Sequence, residues 1–273
     1  MRLPLITIVA GAALLAPAAA AAQSLAARVD AAPADASVRF TFESKPGVCG
    51  DGEHIRVRRP GDEDAMTITD GRREYRVRNG RVSSEWDMRE CIEGPVEMMF
   101  TREDGRITSA SMRVGGTPRT ADVELGSATP AAAIEFLLSE NVLSRASDRA
   151  ADHMIFATTL ANAESWPGLL RVARAQQIAS GPRRAAVFWL AQAAGDRATE
   201  GLRSIIGDDS DELEVRKHAV FAISQIRSDS SIDTLIDIAR TNREPEIRRN
   251  AIFWLGQSGS PRAIAFFEEV LRG

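Results

Sequence analysis

The sequence predicts an α+β multidomain chain in which a small antiparallel β-rich domain is followed by an all-α solenoid. Three observations carry that reading. Hydrophobic residues alternate with period two from Ser37 to about Leu125, the period lengthens to that of helices beyond it, and a motif then recurs every 32 or 33 residues to the C-terminus.

In the first region the alternation is clearest in Val38-Arg39-Phe40-Thr41-Phe42, Ile55-Arg56-Val57-Arg58, Tyr75-Arg76-Val77-Arg78, Val96 to Phe100 and Ile107 to Met112. Pro46-Gly47, Asp70-Gly71, Asn79-Gly80 and Asp104-Gly105 punctuate these runs, so short antiparallel strands joined by tight turns are expected over residues 37–125. Both cysteines, Cys49 and Cys91, fall here. In an oxidising compartment they would pair and leave no thiol over, stapling a long loop, and the absence of Cys-x-x-Cys makes a redox role the lesser reading.

Residues 1–22 carry one charge, Arg2, then an apolar run that fades into alanines with cleavage options near Ala20 to Ala22. That is the pattern of a signal peptide, and it predicts an exported protein, periplasmic or secreted. Residues 23–36, rich in Ala and Asp and containing Pro33, read as a mobile linker. With 34 basic against 38 acidic residues the chain has no bulk drive toward nucleic acid, and membrane contact is expected only through an uncleaved signal segment.

The repeat is carried by Arg183 to Gln192, Arg216 to Gln225 and Arg248 to Gln257, which fall in register when Val187, Val220 and Ile252 are aligned. A weaker copy, His153-Met154-Ile155-Phe156, precedes them. Between the copies lie second helices at Trp166 to Gln177, Arg197 to Ile206, Ser230 to Arg240 and Arg262 to Arg272. Pro130, Pro167, Pro182, Pro245 and Pro261 stand where a first helical turn can do without an N–H, with Thr129 and Ser260 as N-caps. Nine helices are predicted, the first from Ala131 to Leu143. Each pair has an apolar face too large to hide alone, so the pairs must stack.

The pattern Val/Ile-Arg-x-x-Ala-x-x-(Ala or Trp)-Leu/Ile-x-Gln, at Val215 to Gln225 and Ile247 to Gln257, resembles the inner helix of HEAT repeats, particularly the short bacterial type found in phycobilin lyases. The resemblance covers residues 130–273, about four and a half repeats, and implies a protein-binding superhelix far more often than an enzyme. It specifies architecture and leaves function open.

The chemistry-bearing residues point the same way. Only two lysines exist, Lys45 and Lys217, and neither stands in a phosphate loop or a Ser-x-x-Lys pair; no catalytic set and no cofactor is called for. Cys49, Asp51, Glu53 and His54 gather four potential metal ligands in six residues, but an oxidised Cys49 leaves a glycine-rich turn rather than a metal site. His153 and His218 share one repeat position with Ala185 and Asn250, which suits a solvated or repeat-junction site. Asp208 to Glu212 reads as capping and solvating acid. Arg56, Arg58, Arg59, Arg72, Arg73, Arg76, Arg78 and Arg81 are offset by interleaved acids, and a solvated sheet face is the expectation.

The most informative feature is a repeated aromatic. At 100° per residue Val215, Ala219, Ala222 and Ile223 share one face, while Phe221 and Gln225 point away from it; Phe188 with Gln192 and Phe253 with Gln257 repeat this, and Phe156 begins the series. Stacking would line these residues into a ladder on the inner, concave side. Two readings stand: each Phe wedges against the next inner helix and each Gln bonds across repeats, or the stripe is exposed as a groove for a protein or peptide. The sequence thus predicts a non-enzymatic scaffold of the cell envelope. The alternative is a lyase or hydrolase with its site at the junction between Met112 and Glu135.

Overall fold

The computed structural model describes residues 24–57, the backbone of 66–69, and residues 91–226 and 228–272. The signal segment, the strand expected at Tyr75 to Arg78, the turns at Asp70-Gly71 and Asn79-Gly80 and the arginines from Arg58 to Arg81 lie outside the described residues. What is described is α+β, a strand-rich N-terminal part followed by a helical array.

Among the described residues, two four-stranded sheets make up the first part. In one, β7 (Arg106–Arg113), β6 (Val96–Glu103), β1 (Ser37–Phe42) and β8 (Val123–Ala128) lie side by side in that order. Alternation works as expected in β1, where Val38, Phe40 and Phe42 are buried and their neighbours are not. Asp104-Gly105 closes the β6–β7 hairpin with both residues at positive φ, as a two-residue primed turn requires. One pairing departs from the antiparallel expectation: β8 returns across the sheet and runs parallel to β1, with a bulge beside Gly126. A loop of this length gave no hairpin signal for it. The second sheet, wholly antiparallel, has the order β4 (Met66–Thr69), β3 (His54–Val57), β2 (Val48–Gly50) and β5 (Ile92–Glu93).

Cys49 and Cys91 form the disulfide, with Cα atoms 5.2 Å apart. The adjoining turn, once a candidate metal cluster, is closed by its own acid: Asp51 Oδ1 accepts from the backbone N–H of Glu53 at 2.9 Å and of His54 at 2.8 Å. Burial would raise the Asp51 pKa, but these N–H donors and the His54 ring hold it below the usual carboxylate range. Among the described residues no group of three potential ligands gathers to hold a metal. Here the second sheet passes so close to the β7–β8 loop that a Cβ on Gly115, at φ +68°, would lie 2.2 Å from the Gly50 carbonyl oxygen.

The segment read as a mobile linker is instead a helix, α1 (Leu25–Asp30), capped by Ser24. Leu25 and Val29, one turn apart, are buried, and the Arg102 guanidinium donates to the Val29 and Ala32 carbonyls at 2.7 Å each. The i,i+4 apolar pair and the capping serine were legible but outweighed by the surrounding alanines and Pro33.

From Pro130 the chain is helical: α2 (Pro130–Leu137), α3 (Glu140–Leu143), α4 (Asp148–Thr158), α5 (Trp166–Arg174), α6 (Ser180–Ala194), α7 (Thr199–Ile206), α8 (Leu213–Ser224), α9 (Asp229–Thr241), α10 (Pro245–Gln257) and α11 (Pro261–Arg272). These are ten helices among the described residues, not nine, because the first expected helix breaks at Leu138-Ser139 into α2 and α3. Thr129 caps α2 by accepting from Ala132 N at 3.2 Å. A 3-10 turn at Gly195–Ala198 leads into α7.

Sheet and array are joined through one core. Phe136 of α2 sits edge-on against Phe40 and Phe100, with centroids 6.0 and 5.7 Å away. β7 is an edge strand, and α4 covers it: Ser147 donates its N–H to the Ile107 carbonyl at 3.0 Å and its hydroxyl to the Thr108 carbonyl at 2.8 Å, while His153 Nδ1 donates to the Ala110 carbonyl. On the outer sheet face Glu97 takes Arg39 Nε and Arg119 Nε at 2.7 Å each. Burial alone would raise the Glu97 pKa, yet the bonds from Arg119 and Arg39 hold it low.

Two outcomes follow. Phe136→Ala, emptying a site that is 3% exposed, should cost about 3–5 kcal/mol in urea denaturation and destabilise strands and helices together. Because the folded pKa of Glu97 lies below its unfolded value, its stabilisation is whole above the ordinary glutamate pKa and is lost as pH falls through the depressed one. Glu97→Gln should therefore flatten the acid limb of a stability–pH curve; an unchanged limb would show that the arginine pair contributes nothing there.

Candidate partner-binding face

Each repeat pairs an inner helix (α4, α6, α8, α10) with an outer one (α5, α7, α9, α11). Inner helices pack on their neighbours in sequence, α4 on α6, α6 on α8 and α8 on α10. The apolar face assigned from the wheel is the packed one: Val215, Ala219, Ala222 and Ile223 are fully buried, as is Val220 between them.

A second repeated device ties each inner helix from α6 onward to the outer helix before it. Arg183, Arg216 and Arg248 occupy one repeat position, and each donates to carbonyls at the end of the preceding outer helix. Arg183 Nε and Nη2 reach the Ala173 carbonyl at 3.1 and 3.0 Å, Arg216 Nε reaches Ile206 at 2.9 Å, and Arg248 Nη1 reaches Asn242 and Arg243 at 2.7 and 2.9 Å. A guanidinium there satisfies carbonyls left without helical donors and faces the negative end of the dipole. Two acids of the run between α7 and α8 also meet Arg183 and Arg216, which adds ion pairing to the capping and solvating role expected of it. Asp211 is buried and ion-pairs with Arg183, Asp209 Oδ1 takes Arg216 Nη2 at 2.8 Å, and Asp208 closes a turn on Ser210. The Ser210 hydroxyl and N–H hold the Asp208 pKa below the usual range.

The aromatic ladder is continuous but unevenly covered. Phe156 meets Trp189 at 4.6 Å between centroids, Trp189 meets Phe188 at 5.0 Å, Phe188 stacks on Phe221 at 6.2 Å, Phe221 meets Trp254 at 4.8 Å and Trp254 meets Phe253 at 4.9 Å. Phe156 and Phe188 are buried, Phe221 is half-buried and Phe253 is exposed. Packing and exposure thus occur in one series, graded along the array. Of the glutamines, Gln225 is exposed and donates to its own neighbour Ser224 at 3.2 Å, Gln257 is exposed and Gln192 is half-buried.

Between α8 and α10 the ladder opens into a groove of about 510 Å³. Phe221 and Trp254 line it with His218, Asn250, Arg184, Lys217 and Glu214. His218 and Asn250 share a repeat position expected to be solvated or at a repeat junction, and both line this groove between successive inner helices. His153, at the same position, is spent on the sheet edge. The missed tryptophans had a visible signal, since Trp189 and Trp254 directly follow the repeated Phe.

A family model described as HEAT repeats matches residues 175–252 and 211–273. Residues 175–273 are HEAT repeats. A search of the curated proteins found no match for the chain. The N-terminal sheets, the edge-covering helix α4 and α5 precede the matched segment, while the groove and the three capping arginines fall inside this HEAT array.

Breaking the arginine device should be costly within the HEAT array. Arg183, 1% exposed, holds a buried carboxylate, so Arg183→Ala should lower stability by about 3–5 kcal/mol in chemical denaturation. Arg183→Met with Asp211→Leu should lose clearly less; equal losses would mean that the stranded charge is not the cause.

Proposed function

We propose that this protein is a non-enzymatic protein-binding scaffold of the cell envelope, docking a segment of its partner on the inner-helix face of the HEAT array. HEAT repeats generally mediate protein–protein interaction, and one observation carries the finer reading: the groove between α8 and α10 is lined by the aromatic side chains Phe221 and Trp254 together with Arg184, Lys217, His218 and Glu214. Aromatic anchors beside polar and charged side chains are the composition of interface hot spots. The envelope location is supported by the Cys49–Cys91 disulfide, a bond that persists in oxidising compartments, and by the apolar N-terminal run of the sequence. A non-catalytic role is supported by the junction between sheet and array, where Phe136, Phe40 and Phe100 pack together and His153 is engaged by a backbone carbonyl.

The test is a pull-down from envelope extract, with the captured protein identified and its affinity then measured. Phe221→Ala combined with Lys217→Ala and His218→Ala should weaken binding by about 30-fold or more, as the loss of one hot spot of ~2 kcal/mol implies. A triple variant that folds and binds with unchanged affinity sinks this reading.

A further inference from the structure

The repeat makes the charge pattern of the groove between α8 and α10 easy to read. The residue just before His218, Asn250 and their counterpart Ala185 is a cation every time: Lys217, Arg249 and Arg184. At the i−3 position from that cation, α8 and α10 carry an acid, and each acid is used. Glu214 takes Lys217 at 3.0 Å and Glu246 takes Arg249 at 2.7 Å. In α6 the same position is Gly181, which has no carboxylate to give. Arg184 is half-buried, lines the groove and has no carboxylate partner among the described residues.

Two further features of the lining suit a polypeptide segment. Phe221 and Trp254, with centroids 4.8 Å apart, offer an aromatic surface on which a large apolar side chain can lie. Asn250 Oδ1 is buried and has no hydrogen-bond partner among the described residues. Its amide turns about a soft terminal torsion, so the N–H of an entering backbone can satisfy it. The surplus charge is a single one, because Lys217 and Glu214 cancel and Arg184 remains. One guanidinium, a planar fork of donors, matches one carboxylate, whereas a dense polyanion would also meet Glu214 in the same lining.

We propose that the partner segment taken by this groove is acidic, with one Asp or Glu carboxylate on Arg184 and a neighbouring large apolar side chain against Phe221 and Trp254. This rests on the groove being the partner face, and it names the chemistry which that face selects. A basic or uncharged segment would cover Arg184 and leave it unpaired, and the cost of that discriminates against such partners.

Panning a random-peptide display library against the whole chain supplies the probes, and fluorescence anisotropy of the enriched peptides measures them. Peptides that lose binding on the groove triple variant described above should carry Asp or Glu beside Leu, Ile, Phe or Trp. Their affinity should fall as salt rises. Replacing that acid by its amide should weaken binding about tenfold, as should Arg184→Gln, and the two changes together should cost no more than either alone. Arg184→Glu should reverse the preference, so that a peptide with lysine in place of the acid binds better than the acidic one, which lost packing alone would not produce. Groove-dependent peptides without an acid, or acidic ones indifferent to Arg184→Gln, overturn this proposal and leave the partner face standing. Peptides that bind the triple variant undiminished, or no enrichment at all, overturn the partner face and this proposal with it.

Discussion

A helix pair with apolar residues on two sides cannot stand alone, and almost everything in this molecule answers that constraint. Each interior pair is covered by its neighbours, so the array propagates by local contact. The first pair needs a different cover, and the sheet supplies it, with α4 laid along the β7 edge and α2 seated on the phenylalanines of β1 and β6. One cluster of buried side chains consequently runs from Leu25 to Phe266, through strands and helices alike. The two parts that differ in sequence pattern are one body in packing.

Apolar stacking fixes which faces meet but leaves the tilt of each inner helix on the outer helix before it loosely set. The repeated arginine adds direction, because a planar guanidinium between two carbonyls or a carbonyl and a carboxylate tolerates little rotation. Arg183 goes further by reaching the loop of the following repeat at Asp211. It ties neighbours as well as partners, and the aspartates that looked like surface acid are components of that tie.

The array was legible because its signal is repeated: three copies of Arg-x-x-Ala-(Val or Ile)-Phe in register leave little freedom for the inner helices, and proline marks the helix starts. The hairpin at Asp104-Gly105 was legible for a similar reason, since two residues at positive φ need that pair. What escaped depended on distance. No local pattern tells β8 to pair with β1 rather than with β7, or tells α1 that Leu25 and Val29 will find a core. At the candidate site the phenylalanines could be placed, but their graded exposure comes from position along the stack, which a single repeat does not encode. His218 and His153 make the point most sharply: one repeat position lines a groove in one copy and holds a strand edge in another.

The parallel pairing of β1 with β8 joins Val38 to Val123, and a strand near the start of the chain therefore waits on one made much later. Contacts in the array close over a few tens of residues and form quickly by comparison. During synthesis the early strands emerge first and complete their sheet only after the intervening chain has followed. The sheet is thus completed from its edge, by the last of its strands to be made, and its β1 side stays open until that strand returns.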